Sequence, residues 1–248
     1  MTTYVYGITP ADQRIPDGIE GVGDPPMPLR VVRSGDLVAL CSDAPADLVP
    51  RRTDLLAHQH VVIEAGRDGT VLPLRFGEVS PDDENVAAIL DERHDHYLHR
   101  MEEVAGKDEF NVTVHHDEDA VRQVVLADEP HLMSRRATIE DNVTFGELVA
   151  RAVSGRGKSD AVLVERVLGA HAAAVVRGPE AADRLADLTF LVERERRHEF
   201  EESLRTLRQE HAHLRTRATG PLPPYSFAET DRPKPSKKSS RFGRAVRG

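Results

Sequence analysis

The residues most able to do chemistry sit at a few places along the chain. Ala152-Val153-Ser154-Gly155-Arg156-Gly157-Lys158-Ser159 matches a relaxed phosphate-loop pattern, with Ala152 where the first glycine belongs. Such a loop needs a buried strand before it and a helix after it, so that backbone N–H groups can cradle phosphates. The helix after is expected, but Phe145-Gly146-Glu147-Leu148-Val149-Ala150-Arg151 reads as helix rather than strand. No apolar strand ending in Asp follows to hold magnesium. The segment is therefore expected to link two helices, with nucleotide binding through Ala152 to Ser159 as the alternative. Glu92 and His96 lie one helical turn apart, as do His96 and His99, so a two-ligand metal clip could form, but no third ligand stands at a compelling spacing and a solvated face is expected. His58 and His60 are two apart and point to different sides of a helix. Ser34, Ser154 and Ser226 lack the strained elbow of a nucleophile, and Asp82 and Asp83 read as helix-start carboxylates. Cys41 ends the run Leu37-Val38-Ala39-Leu40-Cys41, which predicts a buried strand cysteine.

Composition narrows the classes further. The chain has 248 residues, 39% hydrophobic and 30% charged, enough for a core and a wet surface, in two modest domains or one large one. A formal net charge of -9 argues against general nucleic-acid binding, which needs a basic face. With no Trp and 4% aromatics, a base-stacking platform is not expected either. One cysteine leaves no intramolecular disulfide and no multi-cysteine zinc site. The N-terminus lacks a signal-peptide pattern and no stretch is apolar enough to span a bilayer, so a cytoplasmic protein without membrane insertion is expected.

The elements that must position these groups are mixed. Thr3-Tyr4-Val5-Tyr6-Gly7-Ile8 reads as a strand, and residues 10–28, rich in Pro and Gly, as a long loop. Ser34-Gly35-Asp36 joins two apolar runs into a hairpin. Thr53 is expected to cap a helix reaching about Arg67, with Leu55, Leu56, Val62 and Ile63 as its apolar side. Val71-Leu72-Pro73-Leu74-Arg75-Phe76-Gly77 alternates as a strand, with Leu72, Leu74 and Phe76 on one face. Pro73 confines it to an edge or a bulge. Arg75, near a core, needs a carboxylate or several carbonyls; it is expected to tie the strand to a neighbouring helix, with an anion or partner site as the alternative. This first half is expected to be a small α+β sandwich with helices on one sheet face.

After Pro81, one helix is predicted through about Ala105. Residues 109–115 then alternate as a strand, and Asp117 to Ala127 read as helix. Residues 130–144 are ambiguous. Helices are expected over 145–153 and 159–176, a strand over 188–192, and a long charged helix over 195–217. Phe200, Leu204, Leu207, His211 and Leu214 give that last helix a coiled-coil-like seam. The tail after Asp231 is basic and is expected to be disordered.

Two motifs, Leu72-Pro73-Leu74-Arg75-Phe76-Gly77 and Gly220-Pro221-Leu222-Pro223-Pro224-Tyr225-Ser226-Phe227, stand in order with Tyr4-Val5-Tyr6-Gly7-Ile8 and the strand after Gly106. Together they resemble the gas vesicle protein F/L family (GvpF/GvpL) over nearly all of residues 3 to 228. The sequence departs from the family pattern at Glu78-Val79-Ser80, where Thr-Val-Phe is expected, and at Leu222, where an aromatic is expected. The resemblance thus leaves F and L undivided.

The resemblance implies two α+β domains, which suits a boundary near Gly106 with domains at 1–106 and 107–228; the basic tail 229–248 lies outside it. Each domain would be a variation on a ferredoxin-like sandwich, the second extended by helices including the long coiled-coil-like one. It also implies a non-enzymatic role, without cofactor or metal, in building gas vesicles, whose shells are made mainly of a small, very hydrophobic subunit. The expected partners are that subunit and other accessory proteins, through a sheet edge or a groove. Leu72, Leu74, Arg75, Phe76, Gly77, Pro223, Pro224, Tyr225 and Phe227 are the candidate site residues, with packing roles expected ahead of partner contact.

Overall fold

The computed structural model describes residues 2–136 and 142–228. The expected basic tail lies outside them. Two antiparallel sheets organise the chain. The first is built from β1 (Thr3–Pro10), β2 (Arg30–Ser34), β3 (Leu37–Asp43), β4 (Leu72–Pro73) and β5 (Val79–Ser80). Its order is β2-β3-β1-β4, with β5 also on β1. Gly35 at φ 55° turns the hairpin between β2 and β3.

The second sheet holds β6 (Lys107–His116), β7 (Ala174–Arg177), β8 (Ala186–Glu193) and β9 (Leu214–Leu222) in the order β7-β8-β6-β9. With helix between β6 and β7, and again between β8 and β9, this is the ferredoxin-like βαββαβ order. The first sheet has the same order with its first helix replaced. Loop residues Ile15, Ile19, Val22 and Leu29 cover the sheet where that helix would lie. The fold is α+β with two antiparallel sheets, as expected.

Helices lie on both faces of the first sheet, not one. β1 is buried along nearly its whole length, so both of its faces are covered. Helix α1 (Arg52–Gly66) packs on Tyr4, Tyr6, Val38 and Leu40. Helices α2 (Asp83–Glu92) and α3 (His94–Val104) pack on Val5, Ile8, Ala39 and Cys41. The helix predicted across residues 83–105 is broken at Arg93, whose φ -112° and ψ 20° leave the helical region. Asp82 caps α2 by accepting the Asn85 N–H at 2.8 Å. Thr53 caps nothing: α1 begins at Arg52, behind Arg51, without a side-chain cap.

The second sheet carries its core on one face. Phe110, Val112 and Val114 of β6 and Leu188, Phe190 and Val192 of β8 meet Val164, Leu168, Phe200, Leu204 and Leu207. Leu191 points the other way and joins the first sheet's core, so the two halves share apolar packing.

Several expected boundaries move. Residues 145–153 and 159–169 belong to one helix, α6 (Asn142–Gly169), which follows α4 (Glu118–Asp128) and α5 (Pro130–Arg136). It stops at Gly169, and the residues expected to continue it form β7. The long helix of this half is α6. The Phe200/Leu204/Leu207 seam lies on the shorter α7 (Arg197–Glu210), reached through a 3-10 turn at Arg194–Arg196, and faces its own sheet. Leu214, expected in that seam, opens β9. A final short helix, α8 (Tyr225–Ala228), follows β9. Among the described residues no helix is long and apolar enough to cross a membrane.

The phosphate-loop alternative fails on geometry. Ala152 to Ser159 are interior residues of α6, so their backbone N–H groups are engaged along the helix and cannot converge on a phosphate.

Candidate functional site

The two motif segments meet at one edge of the first sheet. The Val71-to-Gly77 run is not a continuous strand. Leu72 and Pro73 pair with Ile8 and Gly7, and the Leu74 N–H donates to the Tyr6 carbonyl at 2.9 Å. A Cβ on Gly7 would stand 2.9 Å from the Leu72 carbonyl oxygen, so glycine there permits the close approach. The chain then turns at Arg75, with the Glu78 N–H donating to the Arg75 carbonyl at 3.3 Å and Gly77 at φ 91°. The turn sends Phe76 to the opposite face from Leu72 and Leu74, against the expected alternation. Leu72 and Leu74 enter the α2/α3 core, and Phe76 enters the α1 core. Arg75 and Gly77 are exposed.

The second motif straddles the same edge. Tyr225 packs in the α1 core beside Phe76, and Phe227 in the α2/α3 core beside Leu72. Pro223 is half-buried and Pro224 buried, leading the chain from β9 to α8. Glu109, only 2% exposed, fixes the start of α8 by accepting the Ser226 N–H at 2.7 Å and its hydroxyl at 3.1 Å. Burial pushes the Glu109 carboxyl above its usual range, against these hydrogen bonds.

A histidine that sequence reasoning set aside only as a metal ligand joins the motifs. His58, on the buried side of α1, is 3% exposed. Its Nε2 lies 2.9 Å from the Leu74 carbonyl oxygen, which can only accept, so Nε2 carries a proton. In the neutral ring Nδ1 then accepts from the Tyr4 hydroxyl at 2.9 Å. That hydroxyl in turn accepts the Gly77 N–H at 3.2 Å. Ring centroids of Tyr6, Tyr4, Phe76 and Tyr225 stand 5.5, 5.8, 5.9 and 6.4 Å from His58. Burial lowers the His58 pKa and raises that of Tyr4, and it pushes Tyr225 up to about 12 with help from the Glu109 charge. At neutral pH the cluster is uncharged.

Beside this edge a cleft of about 240 Å³ opens between the two halves. Val62 and Ile63 of α1, Val71, Val104 and Pro221 to Pro224 form its apolar walls, and Arg67, Lys107, Arg194 and Arg197 its basic rim. Arg194 donates to the Gly66 carbonyl at 2.9 Å, binding the negative end of α1, and to Asp108 at 3.3 Å. Arg197 pairs with the other oxygen of Asp108.

The remaining sequence candidates scatter. Cys41 is buried as expected, and burial pushes its thiol up to about 12. His94, His96 and His99 do not converge with Glu92 into a ligand set. The group that does converge, His116, Asp160 and His213, is spread across 98 positions and gave no local signal.

Comparison with known proteins agrees with this architecture. A family model described as gas vesicle synthesis protein GvpL/GvpF matches residues 2–229. Gas vesicle protein F of Streptomyces sp. (strain CB03234) is 49% identical over 238 residues, covering 92% of this chain and 100% of that protein. Gas vesicle protein L of the same strain is 30% identical over 250 residues, covering 91% and 92%. The crystal structure of GvpF from Anabaena sp. PCC7120 superposes with a TM-score of 0.77 at 23% identity, covering 93% of this chain and 99% of that one. GvpF from Microcystis aeruginosa superposes with a TM-score of 0.70 at 27% identity, covering 92% and 99%.

Proposed function

The chain belongs to the gas vesicle synthesis protein GvpL/GvpF family, and from that premise we propose that it catalyses no reaction and binds the hydrophobic shell subunit, with other accessory proteins, while gas vesicles are built. The observation that carries this reading is the divided surface of α1. Asp54, His58, Val61, Val62 and Ala65 face the core, whereas Leu55, Leu56 and Ile63 stay 42%, 54% and 39% exposed. The expected apolar side of this helix thus mostly faces solvent. Leu56 and Ile63 are two helical turns apart, and Leu55 flanks them, so they share one face. Ile63 also borders the junction cleft, so the stripe runs into an apolar-walled groove. Single exposed leucines are ordinary, but a row leading into a groove suits an apolar helix laid across it. At the rim Arg194 and Arg197 are already paired with Asp108, and Arg67 with Glu64, so apolar contact rather than charge would select the partner.

The test is co-purification of the shell subunit with a Leu55→Glu/Leu56→Glu/Ile63→Glu variant. The replaced side chains are exposed, so melting should change little. Capture of the subunit should fall at least about tenfold. Undiminished capture by a folded variant would refute docking on this face.

A further inference from the structure

A second polar centre lies away from the motif edge. His116 ends β6, His213 stands just before β9, and Asp160 projects from α6 above them. Asp160 and His213 are 2% and 4% exposed, and the His116 side chain 9%. Both imidazoles aim the same nitrogen at the same oxygen. His116 Nε2 is 2.9 Å and His213 Nε2 3.1 Å from Asp160 Oδ2. The other carboxylate oxygen accepts from Arg156 Nε at 2.9 Å.

We propose that His116, Asp160 and His213 form a binding site for a divalent transition-metal ion, with zinc the best match to the ligand set. Zinc binds imidazole nitrogen and carboxylate oxygen at about 2.0–2.2 Å, which sets neighbouring ligand atoms in a tetrahedron roughly 3.3 Å apart. The two observed spacings lie within a few tenths of an ångström of that. Monodentate ligation through Oδ2 leaves Oδ1 with Arg156, an outer hydrogen bond of the kind that orients a metal-bound carboxylate. Each imidazole would coordinate through the Nε2 lone pair and carry its proton on Nδ1. The scaffold is rigid: the Asp117 N–H donates to the His213 carbonyl at 2.9 Å, and β6 and β9 are paired up to His116 and Leu214. A cleft of about 510 Å³ between α6 and the β7–β8 connection reaches His116 and offers an entry path and room for a solvent ligand.

Arg156 weakens the site without closing it. Its terminal nitrogen is 3.4 Å from His213 Nε2, but Asp128 binds the same guanidinium at 2.6 Å and offsets part of its charge. Affinity should therefore fall short of that of a dedicated zinc finger.

The experiment uses tag-free, chelator-treated full-length protein. Zinc titration by calorimetry should show one saturable ion per chain. Zinc at about a hundredfold its dissociation constant should raise the melting temperature by roughly 5–10 °C. Cobalt should give the intense visible band of a four- or five-coordinate site. His116→Gln, at the better exposed ligand, should lower zinc affinity at least about tenfold, and His213→Gln likewise. One-ion binding that survives both substitutions would place the ion elsewhere and overturn the proposal. Absence of saturable zinc binding and of the cobalt band in the unsubstituted chain overturns it without any variant. Neither result bears on shell-subunit docking at α1, which lies in the other half of the chain.

Discussion

Replacing His58 with Phe isolates the bridge that joins α1 to the Leu72-to-Gly77 segment. The substitution keeps an aromatic ring among Tyr4, Tyr6, Phe76 and Tyr225. It removes the donor to the Leu74 carbonyl and the acceptor of the Tyr4 hydroxyl, both at 2.9 Å. The site is 3% exposed, so water does not readily replace either partner. A buried polar group left without its partner costs about 1–3 kcal/mol, so two give roughly 3 kcal/mol once partial relaxation is allowed. For a chain of this size each kcal/mol moves the melting temperature by about 2–4 °C, a drop of roughly 6–12 °C. Urea denaturation with an unchanged slope measures the same loss at room temperature. His58→Gln, which carries both a donor and an acceptor, should recover part of it. The penalty should also depend on pH. Burial lowers the folded-state pKa of His58, so the unfolded chain takes up the proton first as pH falls below about 6.5. Stability from neutral His58 is complete above that pH and declines as pH falls toward the folded-state value. The gap between the natural chain and His58→Phe should therefore narrow between pH 8 and pH 5. If His58→Phe matches the natural chain within about 0.5 kcal/mol, or the Gln and Phe variants lose equally, ring packing rather than hydrogen bonding holds this edge.

Two further perturbations test other parts of the fold. Gly155 lies inside α6 with open space where a Cβ would go, so Gly155→Ala should stabilise by about 0.5–1 kcal/mol. Gly157→Ala should gain less, because its Cβ would meet Leu185 Cδ2 at 2.8 Å and that side chain must shift; a destabilising Gly155→Ala in thermal melts would return residues 152–159 to a loop. Asp83 accepts from Thr3 at 2.5 Å and from two Arg30 nitrogens at 2.9 Å each, and the Arg30 hydrogen bonds, with that from Thr3, hold its carboxyl at about 2. The side chain is 44% exposed, so Asp83→Asn should cost only about 1 kcal/mol at pH 7. That stability is full above about pH 3.9 and is lost as pH falls through the folded-state value, so a penalty that persisted at the acid end of a pH series of denaturation curves would contradict the ion-pair account.

Sequence periodicity read the sheets better than the helices. β1, the β2–β3 hairpin, β6 and β8 were legible because apolar runs with alternation and turn residues define them locally. α1 was placed but its buried face was not. Leu55, Leu56 and Ile63 outrank Asp54 and His58 on any hydropathy scale, yet the latter have tertiary partners. Asp54 accepts the Gly23 N–H at 3.1 Å, and His58 bridges to Tyr4 and Leu74. Hydrogen bonding to residues 16 to 54 positions away cannot be read from spacing along a helix. The glycines of Ser154-Gly155-Arg156-Gly157 suggested a break, but packing on α4, α5 and the second sheet outweighs the roughly 1 kcal/mol each glycine costs. β9 was hidden because its exposed Arg and Thr residues continue the charge pattern of α7.

The candidate site was legible as two motifs and not as one place. Their meeting follows from topology: the ferredoxin-like order sets β4 at the edge of β1, and the bulge in β9 between Thr219 and Leu222, opposite the Glu109–Asn111 step of β6, lies where β9 leads into α8. Each segment then sends an apolar side chain to each side of the sheet, Phe76 and Tyr225 to the α1 core, and Leu72 and Phe227 to the other. Residues so placed hold the sheet edge closed, and any substitution among them changes folding before it can report on a partner. Loss of gas vesicles in a Phe76 or Tyr225 variant would consequently say nothing about where the shell subunit binds. The discriminating positions are Leu55, Leu56 and Ile63, whose solvent-facing side chains contribute little to the core yet lie on the helix that His58 anchors. On the proposed reading, a partner helix seated there would rest on a surface whose position is fixed by both motifs, and Phe76, Tyr225 and Phe227 would serve binding by holding α1 in place, while Pro221 to Pro224 wall the groove itself.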